Sequence, residues 1–157
     1  MNQQLAGKKI LVTGGSRGIG ASIVKVLAER GALIGFTYSS REDAAAALLK
    51  ELPGSGHFIS QLNTADETSV ESFVNKALEK FGEVDGLVNN AGITKDGLLL
   101  RMKTEDFDNV IDTNLKGTFL LTKGLLKSML KARKGSIVNI TSVIGQTGNA
   151  GQANYAA

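Results

Sequence analysis

The sequence predicts an α/β domain of the Rossmann type, in which helices wrap both faces of a doubly wound parallel sheet. Short apolar segments rich in β-branched residues alternate with segments of helical periodicity, which is the pattern of βαβ units. The length of 157 residues suits a single domain spanning residues 1–157. Glycine is abundant, with 19 residues, and the positions of these glycines carry the functional argument below.

Five strands are predicted in chain order. The first, residues 9–13, reads Lys-Ile-Leu-Val-Thr, a continuous run that suits a strand buried on both faces of a parallel sheet. The remaining strands are predicted at residues 33–37, 57–62, 87–88 and 136–140. Turn residues separate the strands and helices, as in the Pro-Gly-Ser-Gly turn at residues 53–56.

Helices are predicted between these strands, at residues 20–30, 41–50, 68–81 and 104–132, and a further helix begins near Gln152. Gly31 supplies the stop of the first helix. In the helix at 68–81, the apolar residues on one face are expected to pack inward. They are Val70, Phe73, Val74, Ala77 and Leu78.

The composition excludes several classes of protein. Hydrophobic residues make up 42% of the chain and charged residues 21%, which argues against a disordered tail, a coiled coil or a collagen-like repeat. No apolar run reaches the roughly 18 residues of a membrane span, and residues 1–4 lack the basic region of a signal peptide. The absence of cysteine excludes disulfides, thiolate nucleophiles and cysteine-based zinc sites. We therefore expect a cytoplasmic protein.

Charge and histidine content argue against nucleic-acid and metal binding. The net charge is only +3, and aromatic residues are not interleaved with the basic ones. The single histidine, His57, opens a strand without neighbouring metal ligands and is expected to be structural. No group of His, Asp and Glu residues has ligand spacing, so no metal site is predicted.

The first predicted strand leads into a glycine-rich turn, Thr-Gly-Gly-Ser-Arg-Gly-Ile-Gly at residues 13–20. Its G-x-x-x-G-x-G spacing differs from the commoner G-x-G-x-x-G dinucleotide pattern. The physical purpose is the same, because glycine permits positive φ and lets backbone N–H groups and a helix amino terminus approach a pyrophosphate. The strand before the turn and the helix after it favour dinucleotide binding over a turn that binds nothing.

The end of the second strand indicates which dinucleotide is bound. NAD-binding domains place a carboxylate here for the adenosine ribose. This chain has instead Tyr38, Ser39, Ser40 and Arg41. Arg41 and Arg17 are both within reach of a 2′-phosphate, and arginine–phosphate hydrogen bonds are strong, so NADP(H) is favoured over NAD(H). The alternative, in which Glu42 or Asp43 turns back to serve an NAD ribose, stays open.

Four features in this order resemble the short-chain dehydrogenase/reductases. They are the glycine turn, the Asn89-Asn90-Ala91-Gly92 motif after the fourth strand, Asn114 in a helix, and Ser142 thirteen residues before Tyr155. The stretches at residues 89–103 and 148–157 are similar, more narrowly, to the bacterial branch that reduces 3-oxoacyl thioesters of acyl carrier protein in type II fatty-acid synthesis. The resemblance covers nearly the whole chain.

The resemblance implies a cofactor site and a catalytic site. The residues implied in NADP(H) binding are Gly14, Ser16, Arg17, Gly18, Ile19, Gly20, Tyr38, Ser39, Ser40, Arg41, Asn63, Thr64, Asn90, Ala91, Gly92 and Tyr155. In catalysis, Tyr155 is implied as the proton donor, Ser142 as the hydroxyl that polarises the substrate carbonyl, and Asn114 as the holder of a relay water. Taken singly, Tyr155 could be an ordinary packing residue, and Ser142 a helix cap or turn residue.

In this family a lysine four residues after the tyrosine favours the phenolate, and that position lies past Ala157. Bringing a tyrosine pKa from about 10 towards 7 requires roughly 4 kcal/mol of phenolate stabilisation. The family also has a sixth and a seventh strand. We therefore expect five of the seven strands, in a carboxyl-terminally incomplete NADP-binding domain that is inactive alone. Ile137, Val138 and Ile140 are then expected on an exposed sheet edge.

The resemblance also implies partners. Arg133, with Lys131 and Lys134 beside it, matches the basic helix end that receives the acidic carrier protein, although a solvated helix end gives the same pattern. The helices at 104–132 and near Gln152 resemble those that build the family's homotetramer. Two alternatives stay open: a reductase of a CoA thioester or another ketone, and an inactive nucleotide-binding fragment.

Overall fold

Five parallel strands form the centre of the molecule in the computed structural model, which describes residues 3–157. They are β1 (Lys9–Val12), β2 (Leu33–Tyr38), β3 (Phe58–Gln61), β4 (Gly86–Asn89) and β5 (Ser136–Asn139). Their order in the sheet is β3-β2-β1-β4-β5, and every neighbouring pair is parallel. The chain runs outward from β1 in both directions, which is the arrangement of a doubly wound sheet. The predicted fold class is confirmed.

Helices cover both faces of this sheet. They are α1 (Gly18–Glu29), α2 (Glu42–Glu51), α3 (Glu67–Phe81), α4 (Thr104–Ile111), α5 (Gly117–Ala132), α6 (Ile144–Thr147) and α7 (Ala153–Ala156). A π-helical turn, Asp112–Lys116, joins α4 to α5, and a 3₁₀ turn spans Leu99–Arg101. The short helices α6 and α7 both follow β5, the last strand.

The core has two layers because successive residues of a strand point to opposite faces of the sheet. On β1, Leu11 belongs to the layer under α3 and α5, whereas Ile10 and Val12 belong to the layer under α1 and α2. All three side chains are buried, which explains the continuous apolar run in the sequence. Burial of each such side chain contributes about 1.5–3 kcal/mol to folding.

The predicted boundaries of the five strands and the first three helices lie within two residues of the observed ones. The predicted helix at 104–132 is helical but contains the π turn, and the helix predicted near Gln152 is the single turn α7. On α3, Leu78 is only half-buried, and Phe81 is fully buried one turn later. Neither α6 nor the 3₁₀ turn was predicted, because each is too short to show a period.

The β5 side of the sheet is exposed, as predicted. Ile137 is half-buried, and Val138 and Ile140 are exposed. Within residues 3–157, β5 pairs with β4 on one side and with no strand on the other. Its apolar side chains therefore differ in burial from those of the other four strands.

His57 packs within the fold through both ring nitrogens. Its Nδ1 accepts a hydrogen bond from the Ile34 amide at 3.0 Å, and its Nε2 lies 2.9 Å from the carbonyl oxygen of Pro53. The ring therefore ties β2 to the turn before β3, which agrees with the structural role expected of it.

No helix in the described part of the chain is long and apolar enough to cross a membrane. That part also contains no group of three or more side chains suited to hold a metal ion. The expectation about a signal peptide concerns residues 1–4, of which residues 1 and 2 lie outside the described residues.

Candidate active site

The glycine turn joins β1 to α1, and its shape requires glycine. Gly14 and Gly18 have positive φ angles of 63° and 55°. A Cβ at Gly20 would lie 2.1 Å from the carbonyl oxygen of Gly14 and 2.5 Å from Nδ2 of Asn90. No larger residue fits at position 20, so α1 starts in direct contact with the turn.

The amino terminus of α1 is suited to bind an anion. Its N-cap residue, Arg17, makes no side-chain capping hydrogen bond, so no cap side chain uses the backbone N–H groups of the first turn. In contrast, the amides of Gly14 and Gly15 donate to Oγ1 and the carbonyl oxygen of Thr37, at 3.1 and 2.8 Å. The donors available for a phosphate therefore come from the first turn of α1.

Asn90, directly after β4, holds the glycine turn in place. Its Nδ2 donates to the carbonyl oxygens of Thr13 and Gly14, at 3.0 and 3.1 Å. The amides of Asn90 and Ala91 both donate to Oγ1 of Thr13 at 3.0 Å. The Asn-Asn-Ala-Gly motif and the glycine turn thus form one unit at the carboxyl ends of β1 and β4. The sequence analysis assigned no role to Thr13, although its position directly before Gly14 could have indicated one.

Asn114 lies in the π-helical turn and is anchored on both sides of its amide. Its Oδ1 accepts from the Ile93 amide at 2.9 Å, and its Nδ2 donates to the Ile93 carbonyl at 3.0 Å. The helix therefore presents this side chain to the segment that follows the Asn-Asn-Ala-Gly motif. Insertions of a π turn into a helix are frequent at functional sites.

Ser142 lies in the connection between β5 and α6. Its Oγ accepts a hydrogen bond from the Ile144 amide at 3.2 Å, so it shapes a turn. The turn role that the sequence left open is therefore present in the structure. A hydroxyl that accepts one such bond can still donate its own proton, so this contact leaves a donor for a ligand.

One cleft of about 860 Å³ brings most of the candidate residues together. It is lined by residues from the glycine turn, the motif after β4, the π turn, the β5–α6 connection and α7. The candidate residues among them are Arg17, Ile19, Asn90, Ala91, Gly92, Asn114, Ser142 and Tyr155. The three residues implied in catalysis therefore share a cleft with the glycine turn.

The candidate residues after β2 lie outside this lining. Arg41 Nε is 2.9 Å from Oδ1 of Asp43 and Arg41 Nη2 is 2.7 Å from Oδ2, and both side chains are exposed. The hydrogen bond from Arg41 lowers the pKa of Asp43 to about 2. Burial, followed by the charge of Glu42, raises the pKa of the Tyr38 phenol. The Asp43 carboxylate thus binds the guanidinium of Arg41, the group that the sequence suggested for a 2′-phosphate.

The candidate residues after β3 mainly contact other parts of the protein. Asn63 Oδ1 accepts from the Ala65 amide at 3.1 Å and so closes a local turn. Thr64 is buried, and its Oγ1 donates to the Thr113 carbonyl at 3.2 Å. Thr64 therefore braces the π turn that carries Asn114.

Two buried asparagines at the cleft were given no role by sequence reasoning. Asn89 donates from Nδ2 to Oδ1 of Asn139 at 2.9 Å, and its own Oδ1 has no hydrogen-bond partner among residues 3–157. Asn154 is buried beside Tyr155 and hydrogen-bonds to distant backbone. The signals in the sequence were that Asn89 opens the motif at residues 89–92 and that Asn154 directly precedes Tyr155.

The basic end of α5 carries the residue implied in carrier-protein docking. Arg133 is exposed and has a φ angle of 53°, which ends the helix in the left-handed region. Lys131 is also exposed. Lys134 contacts Glu83 at 2.8 Å and Asp85 at 3.1 Å, and these carboxylates raise its pKa. Lys134 therefore forms ion pairs within the protein. Among the described residues, Lys131 and Arg133 form none.

Comparison with known proteins shows the family to which the chain is similar. A model of the family described as short chain dehydrogenase matches residues 8–157. Over 152 residues the chain is 48% identical to the 3-oxoacyl-[acyl-carrier-protein] reductase FabG of Staphylococcus epidermidis and 47% identical to that of Staphylococcus aureus. Over 151 residues it is 50% identical to the protein of the same name from Escherichia coli K12. These alignments cover 96% of this chain but only 61–62% of the relatives, so the chain spans about three fifths of their length.

Proposed function

The chain belongs to the short chain dehydrogenase family of oxidoreductases, and on that premise we propose a specific reaction for it. The reaction is the NADPH-dependent reduction of a 3-oxoacyl thioester on acyl carrier protein to the 3-hydroxyacyl thioester, as in type II fatty-acid synthesis. The observation that carries the proposal is the cleft shared by the glycine turn with Asn114, Ser142 and Tyr155. The names of the relatives support the choice of substrate.

The residues present fit a dinucleotide. The absence of a side chain at Gly20 lets α1 start in direct contact with the turn, and the uncapped start of α1 offers donors to a pyrophosphate. Arg17 lines the cleft, and Arg41 follows β2 with an exposed guanidinium. These two cations favour the 2′-phosphate of NADP(H) over the 2′-hydroxyl of NAD(H). When bound, NADPH supplies the hydride of the reaction.

The chain's own residues supply the proton and the hydrogen bonds of the proposed reaction. As the ketone carbon gains a hydride, negative charge develops on its oxygen. Tyr155 donates the proton to that oxygen, and the Ser142 hydroxyl donates a hydrogen bond to it. Asn114, held by Ile93, keeps a fixed polar group at the cleft where a relay water binds. The product is the 3-hydroxyacyl thioester.

The proposed partner is acyl carrier protein, an acidic protein. Arg133 and Lys131 are exposed at the end of α5 and supply positive charge for its approach. A CoA thioester has the same reacting carbonyl and lacks the carrier protein, so it is the second candidate substrate. Removal of the Arg133 charge distinguishes the two, because only the carrier-protein reaction depends on protein docking.

A homotetramer is the proposed assembly. The π turn and α5 leave four apolar side chains exposed along one side, which are Leu115, Phe119, Leu126 and Leu130. A row of exposed apolar side chains at helical spacing marks a protein interface, and a second copy of the chain is the proposed occupant. Sedimentation that gives only a monomer at micromolar concentration contradicts this assembly.

The test of the proposed function is NADPH oxidation with 3-oxobutyryl thioesters of acyl carrier protein and of CoA, assayed in parallel. In a protein that includes a lysine four residues after Tyr155, we expect turnover of the carrier-protein thioester and a loss of about 100-fold or more in Tyr155→Phe, whereas residues 1–157 alone are expected to be inactive. Ser72→Ala, on the exposed side of α3, is the control and should retain full activity. NADPH binding without turnover of any ketone supports the nucleotide-binding alternative and contradicts the proposed reaction.

A further inference from the structure

Asn154, the residue before Tyr155, is 1% exposed to solvent, and its amide has three hydrogen-bond contacts. Its Nδ2 donates to the carbonyl oxygens of Lys95 at 2.9 Å and Asp106 at 3.3 Å. Its Oδ1 accepts from the amide of Tyr155 itself at 2.8 Å. A buried amide needs such partners, because an unsatisfied donor or acceptor away from water is costly. The side chain therefore fixes the start of α7 against two distant segments.

One partner of Asn154, Lys95, belongs to the same segment that Asn114 holds. Asn114 bonds to both backbone groups of Ile93, and Asn154 bonds to Lys95 two residues later. The amide of Gly97 donates to the carbonyl of Gly151 at 2.8 Å and adds a backbone contact between the two stretches. Residues 93–97 therefore connect the two implied catalytic side chains, with one asparagine at each end.

The helix that carries Tyr155 is short and packs against α4 and α6. α7 consists of the four residues Ala153–Ala156, and a helix of one turn is unstable unless other parts of the protein hold it. Asn154 is its only fully buried residue. This buried amide therefore supplies the side-chain hydrogen bonds that join α7 to residues 93–97 and to α4.

We propose that Asn154 is a positioning residue for Tyr155, which fixes its ring in the cleft by tying α7 to residues 93–97 and to α4. The proposal rests on the role of Tyr155 in the proposed function. Asn154 is among the residues that line the cleft, and the role proposed for it is exerted through its neighbour. Its effect passes through the backbone of its neighbour and through the segment shared with Asn114.

Two variants separate the contacts of this amide. Asn154→Leu has a similar volume and removes all three hydrogen bonds, whereas Asn154→Asp keeps the Oδ1 acceptor for the Tyr155 amide and loses both donors. A new buried carboxyl has a raised pKa and regains one donor when protonated. Gln152→Ala is the matched control, because Gln152 joins the same two stretches through Asp96 at 3.1 Å but lies nearer the surface.

The first readout is the resonance of Tyr155 in protein labelled with [13Cζ]tyrosine. The chain has two tyrosines, so Tyr155→Phe assigns both signals, and Tyr38 reports whether the fold persists. In Asn154→Leu and Asn154→Asp we expect the Tyr155 signal to move to the shift of an unstructured tyrosine, with Tyr38 unchanged. In Gln152→Ala we expect neither signal to move.

The second readout is kinetic. We expect kcat to fall tenfold or more in Asn154→Leu, with a smaller rise in the KM for NADPH, because the donors suited to a pyrophosphate come from the first turn of α1 and not from α7. Asn154→Asp should recover part of its kcat as the pH falls. An unchanged Tyr155 signal and kcat in Asn154→Leu overturns the proposal, as does loss of the Tyr38 signal in both variants, since Asn154 is then a folding residue.

These results are separable from those of the proposed function. Full turnover by Tyr155→Phe contradicts the proposed function, while the resonances still report whether Asn154 orients residue 155. Loss of turnover in Tyr155→Phe with no effect of Asn154→Leu leaves the proposed function standing and overturns the positioning role alone. If the wild-type chain shows no turnover, the Tyr155 resonance alone tests the positioning role of Asn154.

Discussion

Strands β4 and β5 are neighbours with the same length and parallel pairing, yet their surroundings differ. Val88 on β4 pairs in register with Val138 on β5, but Val88 is 8% exposed and Val138 is 48% exposed. Backbone pairing sets where a side chain points, and the layers packed above it decide whether it is buried. The cofactor side of the cleft thus rests on buried strands, and Ser142 and Tyr155 rest on an exposed strand and two single-turn helices.

The largest effect is expected from Gly20→Ala, which breaks the cofactor side. The new Cβ would lie 2.1 Å from the Gly14 carbonyl, a contact that only a backbone shift relieves. We expect the free energy of unfolding to fall by about 3 kcal/mol or more, with loss of dinucleotide binding, because overpacking against backbone is costly. Urea denaturation and calorimetric titration with NADPH measure the two effects.

The control for this change is Gly97→Ala. Gly97 does not have a positive φ angle, and a methyl group at its Cα would meet nothing within 4 Å, so alanine should be neutral there. If Gly20→Ala behaves like Gly97→Ala, the turn is not closely packed, and the contrast between the two sides of the cleft is wrong.

The paired valines test the comparison directly. Val88→Ala should lower the free energy of unfolding by about 1.5–2.5 kcal/mol, because two buried methyl groups leave the core. Val138→Ala should cost less than about 0.5 kcal/mol, as is usual for an exposed position. Urea midpoints at equal m-value measure both. Equal losses at the two positions would mean that β5 is covered in solution, for example by a second copy of the chain.

Arg41 tests the cofactor preference. We expect Arg41→Gln to weaken NADPH binding about tenfold and to leave NADH binding unchanged, because a charge-assisted phosphate contact is lost. Asp43→Asn should strengthen NADPH binding about twofold, since Asp43 competes for the guanidinium and exposed ion pairs are weak. Lys50→Gln, at the other end of α2, is the control. Calorimetric titration measures the affinity of each variant for NADPH and NADH. An equal loss of NADH affinity in Arg41→Gln contradicts a 2′-phosphate contact.

Asp85, directly before β4, hydrogen-bonds to the first residues of β1 and β5, and its carboxylate makes the stability of the fold depend on pH. Burial opposes its ionisation, but the Lys9 amide at 3.0 Å and the Lys134 ammonium hold its pKa below the usual range. Because the pKa is lowered in the folded state, its contribution is present above about pH 4, the unfolded pKa, and is lost as the pH falls through the folded pKa.

We expect Asp85→Asn to lower the free energy of unfolding by about 1 kcal/mol at pH 7 and by much less at about pH 2. Urea denaturation at both pH values measures this difference. Glu83→Gln is the comparison, because Glu83 contacts the same lysine from a more exposed position and should have a smaller effect. A constant loss across the pH range would show that charge is not the cause.

The fold could be predicted because its signals are local. The β1 run, Lys9–Val12, is apolar after its first residue since it is covered on both faces, and Gly31 ends α1 with a φ angle of 90°. The π turn could not be predicted, because Asp112–Lys116 continues the composition of the helices around it. A change from α to π hydrogen bonding leaves no mark on apolar spacing.

The candidate site was predicted in part. The glycine turn and the motif at 89–92 show themselves by residue type, and the structure brings them together through Asn90 and Thr13, which are 77 positions apart. The contact of Asn154 with Lys95 spans 59 positions and has no counterpart in local spacing. Sequence patterns locate residues with unusual backbone needs more readily than residues whose role is a distant hydrogen bond.

By itself, the sequence determined the alternation of strands and helices, the glycine turn and the lack of a carboxylate directly at the end of β2. These follow from composition, period and neighbouring residues along the chain. Only the tertiary structure decided that the amides of Gly14 and Gly15 donate to Thr37 and that the Asp43 carboxylate binds the Arg41 guanidinium. Burial and hydrogen-bond partners depend on which segments meet in space, and the meeting is a property of the packed whole.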